Sequence, residues 1–463
     1  MNQFLLKSRL AIMLLLEFAV WGAYLTSLGS YLAGVGLPNH IGPFYAVQGI
    51  VSIFTPAIFG IIADRWIPAQ KMLSLSHLFA GLFMIAAGVY GYLNPPQILV
   101  DGHWEVVASI PDEILADPSL YIATPFMPLF TLYAISVGFF MPTIGLANSV
   151  SYNALDRAGL DTVKHFPPIR IFGTIGFIIL MLFVNFTGFQ NTYAQLITSG
   201  IASLLLMAYA LTMPECPVNK SGAKKSLSEA LGLNAFKLFK NRNMAIFFIF
   251  SMLLGVSLQI TNGFANPFIK SFGEDTLIGR NANALISLSQ MSETLCILLI
   301  PFFLRKFGIK VVMLMAMFAW VLRFGFFGIG DATPIGITYL VLSMIVYGVA
   351  FDFFNVSGSL YVDQQTDISI RSSAQGLFMI MTNGIGATVG TLGAQAIITK
   401  FVNSQTGQAA VTAGWHTSWL IFAAYSLVVA VLFIFIFKNK PAKTSVDPKT
   451  VADEDPAGMV DPV

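Results

Sequence analysis

Asp352 lies in the run LSMIVYGVAFDFFNVSGS (Leu342 to Ser359), with largely apolar residues before it and a hydrophobic stretch continuing past it. An acid near the centre of a bilayer costs roughly 2.5–3.5 kcal/mol on insertion scales, so it is seldom kept there without a task. Glu293 in ISLSQMSETLCILLI and Glu17 in AIMLLLEFAVWG repeat the pattern. Three acids in apolar spans suit chemistry on protons or cations inside a membrane, because desolvation favours the neutral form of an acid and a change of surroundings then moves a proton. Glu17 lies closer to one end of its span and is expected to be within reach of water.

The other polar residues of the spans fall at helical intervals. Gln259 and Asn262 are three apart, as are Gln290 and Glu293; Arg170, Thr174 and Phe177 lie at i, i+4, i+7, and Tyr347, Phe351 and Asn355 at i, i+4, i+8. Each set shares one helix face. Faces of this kind meeting at one cavity would combine amides, a guanidinium, carboxylates and rings. Such a cavity suits a neutral, hydroxyl-rich ligand with a flat part, since rings stack on planar groups while amides and carboxylates bond hydroxyls. Each amide also has a plainer use as interhelical glue, worth only about 0.6 kcal/mol on average. Arg170, just after Pro167 and Pro168, can snorkel to water, whereas Arg323 lies well inside a span.

The elements that must hold these residues follow from composition. Of the 463 residues, 56% are hydrophobic and 10% charged, against about 25% charged in soluble domains. Spans of about 20 apolar residues begin near Leu10, Gly42, Met72, Ile122, Phe166, Thr192, Met244, Asn281, Val311, Pro334, Ser373 and Trp415. The first is too long, and lacks too clearly a small-residue cleavage site, for a secretory signal, so a retained helix is expected. This is an all-α membrane protein with twelve transmembrane helices. Lys and Arg fall almost wholly on alternate loops, with Lys7 and Arg9 at one terminus, Lys220 to Arg242 in the centre and Lys438 to Lys449 at the other. By the positive-inside rule, both termini and the central loop are cytoplasmic.

Six spans, a basic loop and six more spans divide the chain into a bundle over 1–213, a linker over 214–243, a bundle over 244–437 and a tail over 438–463. Transporters built from repeated bundles have this layout, with a site near the midplane between them. In the linker, Ser226 and Glu229 have capping-box spacing ahead of an amphipathic stretch, Ala230 to Phe239, expected to be a short surface helix. The loop from Asn94 to Leu120 carries Asp101-Gly102 between β-prone flanks, which is a hairpin signal. Gly386 and Gly390 permit close helix contact. The tail, rich in Pro, Asp and Lys, is expected to be disordered.

Cys216 and Cys296 are too few and too differently placed for a disulfide or a thiolate metal site, and the five His are scattered without ligand spacing. There is no HExxH, GxSxG or Walker A pattern, so a protease, an esterase and an ATP-driven pump are disfavoured, and no enzymatic activity, cofactor, metal or nucleic-acid partner is expected.

GIIADR (Gly60 to Arg65) is similar to the loop motif that follows the second helix of major facilitator superfamily transporters, although Ile67, Pro68 and Ala69 replace its downstream residues. FPPIRIFGTIGF (Phe166 to Phe177), FKLFKNRNMAIFFIFSMLLGVSLQITN (Phe236 to Asn262), SLSQMSETL (Ser287 to Leu295), the run around Asp352 and AQGLFMIMTNGIG (Ala374 to Gly386) resemble the bacterial nucleoside:proton symporter family of that superfamily. The resemblance runs from about Trp21 to Phe437. It implies two six-helix bundles in the bacterial inner membrane, acting on purine and pyrimidine nucleosides and protons; a monomer is expected. By matching motif it places Arg170, Thr174, Phe177, Gln259, Asn262, Gln290, Glu293, Tyr347, Phe351 and Asp352 against nucleoside. Two departures stand out: the loop around Trp104 is longer than the family's, and Glu17 stands where an uncharged amide is expected.

The leading expectation is proton-coupled nucleoside import by alternating access, with Asp352, Glu293 and Glu17 as the proton-coupling acids. The alternative is a proton-coupled sugar or oligosaccharide permease of the same superfamily, which also needs carboxylates and aromatic rings.

Overall fold

A computed structural model describes residues 3–115, 117–218, 233–366 and 370–438. Nine helical stretches among them are long and apolar enough to cross a membrane. One of these, Ala282–Ile329, is broken at Gly308, whose φ of 75° is cheap only for glycine. With Gln3–Gly22 and the shorter Ala194–Ala210, twelve crossing segments are present among the described residues. The six of the first half are Gln3–Gly22, Ile41–Arg65, Ala69–Leu93, Phe126–Arg157, Thr162–Phe186 and Ala194–Ala210. Those of the second half are Arg242–Lys270, 282–307, 309–329, Pro334–Gln365, Ser373–Asn403 and Gln408–Ile436. Several start earlier than hydropathy suggests: the first takes in Lys7 and Arg9, because a helix continues into polar surroundings as long as its backbone bonds close. The fourth starts later, at Phe126, since Ile122 is spent in a strand.

Small residues set the closest approaches. A Cβ on Gly176 would lie 2.0 Å from the Leu15 carbonyl oxygen, so the first and fifth spans touch backbone to backbone. In the second half the seventh and eleventh spans meet in the same way, with a Cβ on Gly390 falling 2.6 Å from the backbone of Val256. Without a hydrophobic drive between helices in lipid, such contact is what dispersion can use. The eleventh span also carries two π-helical turns, Ile380–Gly386 and Thr399–Asn403.

The long loop after the third span folds as expected at its Asp-Gly turn. Asp101 and Gly102 have φ of 48° and 81°, the left-handed pair of a two-residue hairpin, and β1 (Gln97–Val100) pairs antiparallel with β2 (His103–Val106). A third strand, β3 (Tyr121–Ile122), pairs with the other edge of β1. Hydrogen bonds from Ile110 N to Gly34 O (2.7 Å) and Thr124 N to Val35 O (3.0 Å) fasten the loop to the bundle end. In the linker, Leu233–Lys240 is a 3-10 helix; Ser226, Glu229 and Ala230 lie outside the described residues, as does the tail after Lys438.

Hydrogen bonds between the halves gather at the ends remote from the basic loops. Thr26 Oγ1 donates to Asn283 Oδ1 at 2.9 Å and Asn185 Nδ2 to Asn281 Oδ1 at 3.0 Å. Gly42 N donates to Gln395 Oε1 at 2.7 Å, and Thr399 Oγ1 and Asn403 Nδ2 both reach Asn39 Oδ1, at 3.0 and 2.9 Å. Arg170 lies fifteen residues along the fifth span from Asn185, about 22 Å on a straight helix, so the zipper stands well away from it.

Candidate functional site

Arg170 leaves the fifth span half-buried, its guanidinium 3.9 Å from the centroid of the Phe18 ring. A planar cation over a ring gains more as water is removed. Gly173 makes room for this stack, since a Cβ there would lie 2.7 Å from both the guanidinium and the Phe18 ring. From that position Arg170 is within electrostatic reach of Glu293 and Asp352 across the halves and of Glu17 in its own.

The two acids of the second half are set side by side by the packing of the eighth and tenth spans. Gly348 lets the tenth span close on the eighth: a Cβ on it would come within 2.6 Å of the Ser292 carbonyl. Glu293 and Asp352 then share Arg170 as their common counter-charge. Asp352 is buried, and its Oδ2 has no hydrogen-bond partner among the described residues. A buried acceptor left open costs about 1–3 kcal/mol, more when it is charged, against about 1 kcal/mol gained when it is satisfied.

Around these charges stand the rings and amides. Tyr347 and Phe351 stack at 5.8 Å with only 7° between their planes, and Tyr347 faces Glu293, Asp352 and the Gln290 side chain. Asn262 Nδ2 donates to Gln259 Oε1 at 2.9 Å, so the two amides form one platform on the seventh span. Phe351 lines a small cavity with Leu258, Trp320, Phe354, Asn355 and Asn383. Thr174 is half-buried on the Arg170 helix. Phe177 differs from Phe351: it is 6% exposed, with its backbone pressed on Gly22 of the first span.

Glu17 does not reach water, contrary to the sequence-based expectation. It is wholly buried, with Oε2 2.9 Å from His77 Nε2 and Oε1 2.6 Å from Thr143 Oγ1. The third and fourth spans close over it by supplying those two partners, each itself fully buried. Arg323 is also buried, and its partners are not carboxylates: it donates to Ser343 O (2.8 Å) and Ser289 Oγ (3.2 Å) and lies 4.4 Å from the Tyr347 ring centroid. It thereby fixes Tyr347 from behind.

Sequence reasoning missed His77, Trp320 and Asn383. His77 stands alone in an apolar span, and its pairing with an acid sixty residues away leaves no local signal. Asn383 sits in the π-helical turn of the eleventh span; such turns often mark functional sites, but a π turn has no sequence signature of its own.

A family model described as "Nucleoside H+ symporter" matches residues 4–94 and 117–442 of this chain. The unmatched gap contains the hairpin. The xanthosine permease of Escherichia coli (strain K12) is 46% identical over 437 residues, which are 93% of this chain and 95% of that one. The nucleoside permease NupG of the same organism is 42% identical over 455 residues, 96% of this chain and 99% of its own. A crystal structure of the nucleoside transporter NupG superposes with a TM-score of 0.79, covering 95% of this chain and all of that one.

Proposed function

The chain belongs to the nucleoside H+ symporter family, and from that premise we propose how its residues divide the work of carrying a nucleoside with a proton. The protein is a multi-pass membrane transporter, not an enzyme, with the major facilitator fold. Nucleoside binds between the halves. Its ribose hydroxyls donate to Asp352 and Glu293 and exchange hydrogen bonds with Gln290; its base lies on Phe351, which Tyr347 and Arg323 hold in place. Gln259 and Asn262 meet the edge of the base, while Arg170 and Thr174 close the site from the first half. The observation that carries this reading is Asp352 Oδ2, buried beside Glu293 without a partner. A hydroxyl donor supplied by the ligand is what that oxygen lacks.

Proton coupling uses the same acids. With both ionised, two negative charges face one guanidinium; a proton on either leaves Arg170 balanced and lets the halves move past one another. The bundles over 1–213 and 244–437 rock about this site. The zipper of Thr26, Asn39, Asn185, Asn283 and Gln395 closes one end, which the distribution of Lys and Arg makes the outer end, with both termini cytoplasmic and the protein a monomer in the bacterial inner membrane.

The test is uptake of labelled uridine and adenosine into proteoliposomes under an inward proton gradient, comparing the wild type with Asp352→Asn. Accumulation above equilibrium that a protonophore collapses, and that the variant loses, supports the assignment. Gradient-independent equilibration in the wild type would refute proton coupling. Competition by free ribose and disaccharides as strong as by nucleosides would replace the nucleoside with a sugar.

A further inference from the structure

A second buried acid plays no part in that site. Glu17, His77, Thr143 and Ser203 come from the first, third, fourth and sixth spans, and each is at most 1% exposed. They form one unbranched chain of hydrogen-bond separations. Phe140 O lies 2.5 Å from Thr143 Oγ1, which lies 2.6 Å from Glu17 Oε1. Glu17 Oε2 lies 2.9 Å from His77 Nε2; His77 Nδ1 lies 2.9 Å from Ser203 Oγ, and Ser203 Oγ lies 3.0 Å from the His77 carbonyl.

Both ends of the chain are backbone carbonyls, which only accept. Each hydroxyl brings one hydrogen. With Glu17 a carboxylate and His77 neutral, the imidazole brings one more, so three hydrogens serve five separations. One added proton finds an open separation waiting for it, whether it rests on the carboxyl group or completes an imidazolium. We propose that these four residues are a second proton-binding site, lodged inside the first half, which can take up a proton and acts through its charge on Arg170.

The electrostatics give that proton an effect. Arg170, from the fifth span, is within reach of Glu17 and of the acids of the second half. Without the proton the chain carries one negative charge and holds the guanidinium toward the first half. With it the chain is neutral, and Glu293 and Asp352 attract Arg170 unopposed. Protonating the acids of the second half does the reverse, so the two sites pull Arg170 in opposite directions. The fourth span presents the Phe140 ring and the Thr143 hydroxyl to the chain, with Tyr152 farther along beside Arg170. The sixth presents Ser203. The second, packed on the third, carries its charged residues at its Asp64–Arg65 end.

The functional consequence rests on the proton-coupled reading above, but the site itself can be tested without nucleoside. The experiment is pH-difference infrared spectroscopy of the full-length protein in lipid, on the wild type, Glu17→Gln and His77→Gln. Expected is a carboxyl and imidazole difference signal that Glu17→Gln and His77→Gln each abolish or displace. Thr143→Val and Ser203→Ala keep both titrating groups and shift the transition, which serves if the first two variants fail to fold. Difference spectra unchanged in every folded variant would overturn the proposal. In the same proteoliposomes, the Glu17→Gln and His77→Gln variants should lose the same limb of the pH profile of uridine uptake, the double variant losing no more than either. Additive losses would also overturn it. Failure of the wild type to take up uridine, adenosine and xanthosine alike would instead refute the nucleoside reading and leave the spectra to decide the proton site.

Discussion

The two halves of the molecule bury acids in opposite ways. In the first, both oxygens of Glu17 are matched by His77 and Thr143 from the same bundle. In the second, Asp352 keeps Oδ2 buried and unpartnered, with only the distant charge of Arg170 to balance it. Leaving a buried polar group open costs about 1–3 kcal/mol, more when it is charged, while closing one internally gains about 1 kcal/mol. A chain that tolerates the first cost at one acid and avoids it at the other assigns them different tasks. The satisfied acid has both oxygens occupied within its own bundle, whereas the open one keeps an acceptor that a ligand hydroxyl could fill, as proposed above. The arginines differ likewise, since Arg323 is bonded to Ser289 and Ser343 of the second half while Arg170 rests on the Phe18 ring within electrostatic reach of acids in both halves.

The largest effects should therefore fall on the open acid and on Arg170. Asp352→Asn exchanges a charged acceptor for an amide, and losing a charge-assisted bond of about 1.5–3 kcal/mol corresponds to roughly ten- to hundredfold weaker uridine binding. Isothermal titration in detergent measures it. A larger loss from Glu17→Gln than from Asp352→Asn would invert the comparison. Arg170→Lys keeps the charge but not the planar face laid on Phe18; an expected fall of about tenfold in uptake rate separates a positioned guanidinium from a mere positive charge. A lysine variant equal to wild type would show that charge alone suffices.

The two phenylalanines sharpen the contrast at smaller scale. Phe351 lines the cavity and stacks on Tyr347, so Phe351→Ala should weaken binding by about two- to tenfold, the range of an aromatic pair worth about 0.5–1.5 kcal/mol. Phe177 is buried against the first span, so Phe177→Ala should lower the melting temperature more than the affinity. Affinities unchanged in both would remove stacking from the binding account.

Much of this arrangement is legible in the chain. Hydropathy marks the spans, the Asp101-Gly102 turn marks the hairpin, and the cost of a carboxylate in hydrocarbon marks Asp352, Glu293 and Glu17. Helical spacing also selects the faces of Gln259 with Asn262 and of Tyr347 with Phe351, because residues three and four apart share a face whatever the helix packs against. What spacing leaves open is the partner. His77, Thr143 and Ser203 lie 60, 126 and 186 positions from Glu17, and each alone is an ordinary buried residue; only the packing of four spans makes them a unit. For the same reason Glu17 reads as near water in sequence and proves sealed in the fold. The reach of Asn383 into the cavity depends on a π turn that composition does not announce.

The smallest effect concerns how the halves meet. Asn283 accepts from Thr26 across the halves and from Asn266 within its own, at 2.9 and 2.7 Å. A single interhelical bond in a membrane is worth about 0.6 kcal/mol, so Asn283→Ala should shift the balance between the closed and open states of the zippered end by only about threefold. Alkylation of a Ser30→Cys reporter in liposomes reads that shift, because Ser30 bonds Asn266 inside the zipper and both native cysteines are buried. The reporter should react about threefold faster in Asn283→Ala, and faster still when Gln395→Ala opens the bond to Gly42 as well. Many weak bonds suit a seam that must part at every cycle of the proposed transport. A tenfold or greater change from Asn283→Ala alone would mean that this one amide is a latch, and that the zippered end opens by releasing a single contact rather than by unzipping many.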